Sequence, residues 1–400
     1  MKKIIVLLLV GILLLSGCNN NSDKGVQGIA DMDKIVENKL NSMTIDEKIG
    51  QMMIIYYLKG NVDTTLKSSL STVKPGGMIL FSENFTTYDN TINFIKEVKS
   101  SSSIPMFIAI DEEGGRVQRL TSIKDTKVSY VPAMYYLGEM DDIDLTKDTG
   151  KVIAEELKVF GINMDFAPVI DIYENPDNEV IGKRSFGTNY EIVSKHGIAM
   201  GNSLRDNNII PVYKHFPGHG NTSTDSHVDL PIVTKTKEEL LKDELIPFKK
   251  AIENDAEMIM IGHLAVPEIT GDNTPASLSK EIITDLLKNE MGYKGLVITD
   301  ALNMGAITKN YSEQEIYEMA INAGVDILLM PVNSKNALQY IKDSVTKGTI
   351  SEERINESVR KILKLKYERI DNDYEVYYDK SYLNSKEHQD ILNKIKIEEN

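Results

Sequence analysis

The sequence predicts a single (β/α)8 barrel of the TIM type, and three observations carry that expectation. Eight short apolar runs recur along the 400 residues, most of them followed by a helical pattern. The runs show little internal alternation, as parallel strands buried on both faces do. Polar or charged residues stand repeatedly at or near the C-terminal ends of the runs, where barrels of this kind carry their active sites. Eight strand-plus-helix units that close on themselves satisfy all three. A doubly wound open sheet is the alternative, although no Gly-rich phosphate turn follows the first run. A body of roughly 340 residues is long for an ordinary domain and normal for one barrel.

Before the barrel comes an export signal. Met1-Lys2-Lys3 sets two positive charges ahead of an apolar run from Ile4 to Leu15, followed by Ser16-Gly17-Cys18. A basic start, a short apolar stretch and small residues at the cut describe a secretory signal over residues 1–17. The run is too short to span a bilayer comfortably. Leu15-Ser16-Gly17-Cys18 resembles the bacterial lipobox, in which the cysteine is lipidated and becomes the mature N-terminus. Cys18 is the single cysteine of the chain, so a lipid explains it and disulfides play no part. Residues 18–32 then read as a polar tether. Two or three acyl chains would hold the protein at the membrane where one would not, which predicts attachment to the outer face of the cytoplasmic membrane.

The formal charge is −15, and about −17 once Lys2 and Lys3 leave with the signal. An acidic body argues against nucleic acid as a partner and against electrostatic docking on anionic lipid. Attachment therefore falls to the lipid.

In chain order, strands are expected near Met52–Tyr57, Gly77–Phe81, Met106–Asp111, Asn163–Pro168, Ile210–His215, Met258–His263, Leu296–Asp300 and Asp326–Met330. Thr44-x-x-Glu47, Thr236-x-x-Glu239 and Ser312-x-x-Glu315 are capping boxes that start helices. A last helix over Ser351 to Tyr367 closes the ring, so the catalytic domain is expected over 33–370. The charged, Tyr-containing tail 371–400 carries no assigned role. Asp111, Asp165, Lys214, His215, His263 and Asp300 fall inside or at the ends of their strands.

The stretch richest in chemistry is K-H-F-P-G-H-G-N-T-S-T-D-S-H, Lys214 to His227. It leaves a buried strand and becomes a polar loop holding three of the six histidines. Zinc held by His215, His219 and His227 is one reading, but Pro217-Gly218 forbids the helix that would aim the first two rings at one metal. No metal and no cofactor is expected. Solvated loop residues are the second reading. The third is a dyad, Asp225-x-His227. Residues two apart on an extended segment face one side, so the carboxylate can fix the imidazole's tautomer. The other ring nitrogen then exchanges a proton near neutral pH.

Taken together, D-E-E-G-G-R-V-Q-R-L (111–120), D-F-A-P-V-I-D-I (165–172), I-G-K-R-S-F-G (181–187), K-H-F-P-G-H-G (214–220), D-S-H (225–227), M-I-G-H-L (260–264) and T-D-A-L-N-M (299–304) resemble glycoside hydrolase family 3. The resemblance is to its bacterial β-N-acetylglucosaminidase branch of cell-wall turnover and runs from Asp46 to Tyr367. It implies Asp300 as the nucleophile that forms a glycosyl-enzyme, His227 as general acid/base and Asp225 as its orienting partner. Asp111, Arg119, Arg184, Lys214 and His215 match residues that bind hydroxyls of the terminal sugar. In β-glucosidases of the family the acid/base is a glutamate on a second domain. About thirty residues follow the barrel here, too few for another domain, which favours Asp225/His227 and the acetamido sugar.

The resemblance implies an exo-acting hydrolase that removes terminal GlcNAc from muropeptide or chitooligosaccharide. Phosphorolysis by the same chemistry, a broader β-glucosidase and a sugar-binding lipoprotein on a retired scaffold are the alternatives.

Overall fold

The computed structural model describes residues 21–222, 229–370 and 378–397, with side chains from Asp31 on. The expected signal 1–17, Cys18 and the pair Asp225 and His227 lie outside these residues. Among the described residues no helix is long and apolar enough to cross a membrane. A helix, Asn21–Ser42, takes in most of the stretch read as a tether. Its Val36 and Leu40, one turn apart on one face, are buried, and the helix packs on the closing helix Glu352–Arg369.

All eight expected strands form: β1 Met53–Tyr56, β2 Gly77–Leu80, β3 Phe107–Ile110, β4 Met164–Asp165, β5 Ile210–Phe216, β6 Met258–Ile261, β7 Leu296–Thr299 and β8 Leu328–Leu329. They pair in parallel in the order β7-β6-β5-β4-β3-β2-β1-β8. A parallel bridge between Ile298 and Ile327 joins β7 to β8 and completes the ring. The three capping boxes are present with both reciprocal bonds at Thr44, Thr236 and Ser312.

Most strands stop short of the bounds read from the sequence, for a local reason. At the C-terminal ends, carboxylates take backbone N–H groups that a longer ladder would use. Asp165 accepts from Glu112 N at 2.9 Å, and Asp300 from Ala301 N at 2.7 Å. Strand β5 runs one residue longer than expected. Its register against β6 shifts between Tyr213 and Phe216, and such irregularities re-aim side chains. Lys214 and His215 lie in that interval.

The β7–β8 seam rests on Asp326, which is fully buried. Its carboxylate accepts from Val297 N at 3.1 Å, Arg354 Nη2 at 3.0 Å and Ser358 Oγ at 2.7 Å, with Lys288 and Lys361 close by. Burial favours the neutral acid, but the three cations and Ser358 outweigh it and lower the pKa. Replacing Asp326 by Ala removes the buried charge that Arg354, Lys288 and Lys361 share and leaves Val297 N and Ser358 Oγ without their acceptor. A loss of about 3–5 kcal/mol is expected in urea unfolding; a loss below about 1 kcal/mol would contradict the seam's dependence on this residue.

Between β3 and β4, burial pushes the Glu112 carboxyl up to about 8, against the Leu120 and Arg119 N–H bonds that pull it down. Burial also raises Asp165 well above the usual carboxylate range. A group whose folded pKa is raised holds its proton in the native state after the unfolded chain has lost it. Stability therefore falls as pH rises from the ordinary glutamate value, 4.5, towards about 8. Glu112→Gln keeps the acceptor and removes the titration. Thermal melts of this variant between about pH 5 and about pH 8 should show a shallower decline than the parent; an equal slope would refute the assignment.

Candidate active site

The C-terminal ends of the strands open on a cavity of about 350 Å³ lined by Asp111, Glu113, Arg119, Arg184, Lys214, His215, His219 and Asp300, with Phe81, Phe166, Met260, Met304 and Met330 as apolar walls. Each charged group has a structural reason to be there. Asp111 and Asp300 are the first residues past β3 and β7. Arg184 ends a short 3-10 turn, Gly182–Arg184, in the connection after β4. Arg119 comes from the connection after β3.

Lys214 is the hub. Its side chain is 3% exposed, and its ammonium lies 2.8 Å from Asp111 Oδ1 and against Glu113. Burial favours the neutral amine, but the Asp111 and Glu113 charges more than offset it and raise the pKa. Glu113 in turn accepts from Arg184 Nε at 2.7 Å and Nη2 at 2.8 Å. Its carboxyl is raised by burial and lowered further by Arg184 and Lys214, so it is held ionised. Arg184 also donates from Nη1 to Val180 O at 2.9 Å. The guanidinium fork that the resemblance implies for sugar hydroxyls is therefore engaged by Glu113, and a second hydrogen remains on Nη1 and on Nη2.

Arg119 is held less firmly. Its Nη2 lies 3.6 Å from Asp111 Oδ2, its guanidinium carbon stands 5.7 Å from the Phe81 ring centroid, and its Nε is buried without a hydrogen-bond partner. An orphaned donor at a cavity wall is one that a ligand oxygen can satisfy.

Asp171 fixes the start of the K-H-F-P-G-H-G turn. It accepts from His215 N, from His215 Nδ1 at 2.7 Å and from His219 N at 2.7 Å. Burial raises its pKa, and the two rings and the His219 N–H lower it further. The bond to Asp171 puts the proton of neutral His215 on Nδ1. His219 is buried, with Nδ1 2.7 Å from Thr222 Oγ1, and burial lowers its pKa to about 4. It is a neutral imidazole at working pH.

The segment His219–Gly220, ahead of Asp225 and His227 in the sequence, is pinned. Asn178 Nδ2 donates to His219 O at 2.8 Å, and Asn175 N to Gly220 O. A Cβ on Gly220 would stand 1.6 Å from Ile172 O, so only glycine fits that close approach. Later in the sequence, Lys235 pairs with Glu174 at 2.7 Å and with Glu244. Glu174, Asp243 and Glu244 are near enough to hold a cation, and the Lys235 ammonium already supplies one to two of them.

Asp300 lines the cavity and titrates low. Burial raises its pKa, but His263, His215, the Ala301 N–H and Lys214 outweigh that and keep it ionised. His263 is buried behind it, with Nδ1 2.7 Å from Ser277 Oγ and Nε2 3.0 Å from Ala301 O. It supports the turn that carries Asp300. Asp165 is not among the cavity-lining residues.

Of the residues singled out from sequence, Asp111, Arg119, Arg184, Lys214, His215 and Asp300 share this cavity. Glu113 and Asp171 were missed as partners. Both sit inside the quoted motifs, and the available signal was chemical: a lysine and a histidine in a buried strand require carboxylates.

Residues 44–365 match the glycosyl hydrolase family 3 N terminal domain. Beta-hexosaminidase A of Pseudoalteromonas piscicida is 34% identical over 329 residues, which cover 75% of this chain and 54% of that protein. The chain thus spans about half of that relative's length. Beta-hexosaminidase LpqI of Mycobacterium tuberculosis is 33% identical over 301 residues, 73% of this chain and 75% of the relative. A solved glycoside hydrolase family 3 beta-N-acetylglucosaminidase from Paenibacillus sp. str. FPU-7 superposes with a TM-score of 0.83 at 33% identity, covering 88% of this chain and 68% of that one. The matched stretch begins at the capping threonine Thr44 and ends inside the closing helix, so what is shared is the barrel with its cavity: the chain belongs to glycosyl hydrolase family 3.

Proposed function

We propose that the chain is a retaining, exo-acting β-N-acetylglucosaminidase that removes terminal GlcNAc from peptidoglycan fragments. The observation that carries this reading is an ionised carboxylate, Asp300, on the same cavity as the Asp111–Lys214–Glu113–Arg184 network. Asp300 attacks the anomeric carbon while His227 protonates the leaving oxygen. His227 then takes a proton from water, which opens the glycosyl-enzyme. Asp225 fixes the tautomer of His227. Asp111, Lys214, His215 and the orphaned Nε of Arg119 receive the sugar hydroxyls. Glu113 and Arg184, paired with each other, form part of the cavity wall.

Imidazole suits the acid/base role because it titrates near neutrality without burial. The beta-hexosaminidase names of the relatives support the acetamido sugar. Attachment through a lipid on Cys18 would hold the enzyme on the outer face of the cytoplasmic membrane, beside its substrate. Phosphate in place of water as the acceptor is the second reading, since a histidine repels it less than a carboxylate would.

Turnover of 4-nitrophenyl β-N-acetylglucosaminide against the β-glucoside, with and without phosphate, tests the reaction. Free GlcNAc and a strong preference for the acetamido sugar are expected; GlcNAc 1-phosphate would make the enzyme a phosphorylase. Asp300→Asn should lose at least about a thousandfold in kcat. His227→Ala should lose roughly a hundredfold or more on a GlcNAc disaccharide and less on the nitrophenyl glycoside, whose leaving group needs no proton. Full activity in either variant would end the assignment.

A further inference from the structure

Two depressions adjoin on the barrel rim, outside the catalytic cavity. One, of about 560 Å³, lies between the connection after β3 and the C-terminal segment 378–397, and its lining includes Lys127, Tyr130, Asn384, Gln389 and Asn393. The other, of about 390 Å³, includes Arg116, Tyr130, Tyr136, Lys183 and Arg184. They share Tyr130, Pro132 and Ile397, and the second shares Arg184 with the catalytic cavity. The two lie side by side across these shared residues, and together they form a grooved surface from the C-terminal segment to Arg184 at the edge of the catalytic cavity.

Its two sides are held by a common anchor. Glu156 accepts from Ser129 N and Oγ on one side and from Asn384 N at 2.8 Å on the other. His388, buried, lies 3.0 Å from Glu156 and 2.8 Å from Glu155. The groove is therefore a built feature whose width is set by buried bonds.

The lining is unusual for a protein of charge −15. Lys127, Arg116 and Lys183 are exposed, and none is ion-paired with a carboxylate among the described residues. Arg116 donates to the carbonyls of Glu179 and Val180, and Lys183 to Tyr136 Oη at 2.8 Å. Among the described residues, Glu179 is the one carboxylate in either lining. Tyr130 leaves 61% of its surface in solvent, which presents an amphipathic ring to a ligand. Asn384, Gln389 and Asn393 add amides that can donate and accept. Aromatic faces suit pyranose rings, amides suit hydroxyls and acetamido groups, and exposed cations with no carboxylate in ion-pair contact suit carboxylates.

We propose that this groove binds a carboxylate-bearing amino-sugar strand and holds the enzyme on polymeric substrate while the catalytic cavity works on chain ends. The inference rests on the substrate class proposed above. Its effect is one of local concentration: a second contact on the same polymer raises the rate at which ends are met.

Pelleting of the full-length chain with insoluble peptidoglycan, and with chitin as the neutral amino-sugar polymer, tests it; free GlcNAc is added to fill the catalytic cavity. The parent should pellet with peptidoglycan, less with chitin, and be released as salt rises. Tyr130→Ala combined with Lys183→Ala should weaken pelleting about tenfold and leave turnover of the nitrophenyl substrate unchanged. Lys127→Ala, an exposed change on the other side, should weaken it as well. Variants that pellet like the parent would overturn the proposal. Equal binding to chitin, or a defect seen on phosphatidylglycerol vesicles instead of peptidoglycan, would do so too. Pelleting does not require turnover, so this inference and the activity reading fail separately.

Discussion

The Lys214 ammonium, almost sealed from solvent between Asp111 and Glu113, is the constraint on which the catalytic face depends. A buried cation is tolerable only with carboxylates around it, and those carboxylates come from the connection after β3. Glu113 then needs a second cation, which brings Arg184 in from the connection after β4. Three strands are thereby tied at their C-terminal ends by charge, in addition to the ladder hydrogen bonds. The network is costly to break at any member and rigid for the same reason, and rigidity is what a sugar-orienting pocket requires.

The barrel contributes the placement. Its ladders end where Asp111 and Asp300 leave the strands, and the β5 irregularity presents Lys214 and His215 together. The proposed histidine acid/base would be an economical choice in such a site. Burial does push a carboxyl to about 8 here, at Glu112. That carboxyl is fixed beneath the cavity by backbone N–H groups and does not line it. An imidazole on a loop needs no such burial to hold a transferable proton.

Much of this was legible in the sequence. The apolar runs gave all eight strands and their order along the chain, because parallel barrel strands are buried on both faces. Six expected site residues meet in one cavity: Asp111, Lys214, His215 and Asp300 because strand ends converge in a barrel, Arg119 and Arg184 because the connections after β3 and β4 fold back over those ends. The pairings were not legible. Arg184 and Glu113 are 71 residues apart, Lys214 and Asp111 are 103 apart, and no spacing rule links such positions. The packing of 378–397 was also hidden. The charged tail carried no assigned role in the sequence, yet His388 is buried between Glu155 and Glu156. One histidine among charges gives no periodic signal.

The proposed mechanism turns on a covalent bond between Asp300 and the sugar. A 5-fluorinated N-acetylglucosaminyl fluoride slows both steps by opposing the oxocarbenium character of the transition state, and its good leaving group lets the intermediate accumulate. Peptide mass spectrometry after brief incubation is the most direct measurement. One sugar adduct is expected, on the peptide containing Asp300 and on that carboxylate. An adduct on another residue, or steady turnover of the parent substrate with no adduct ever trapped, would contradict it.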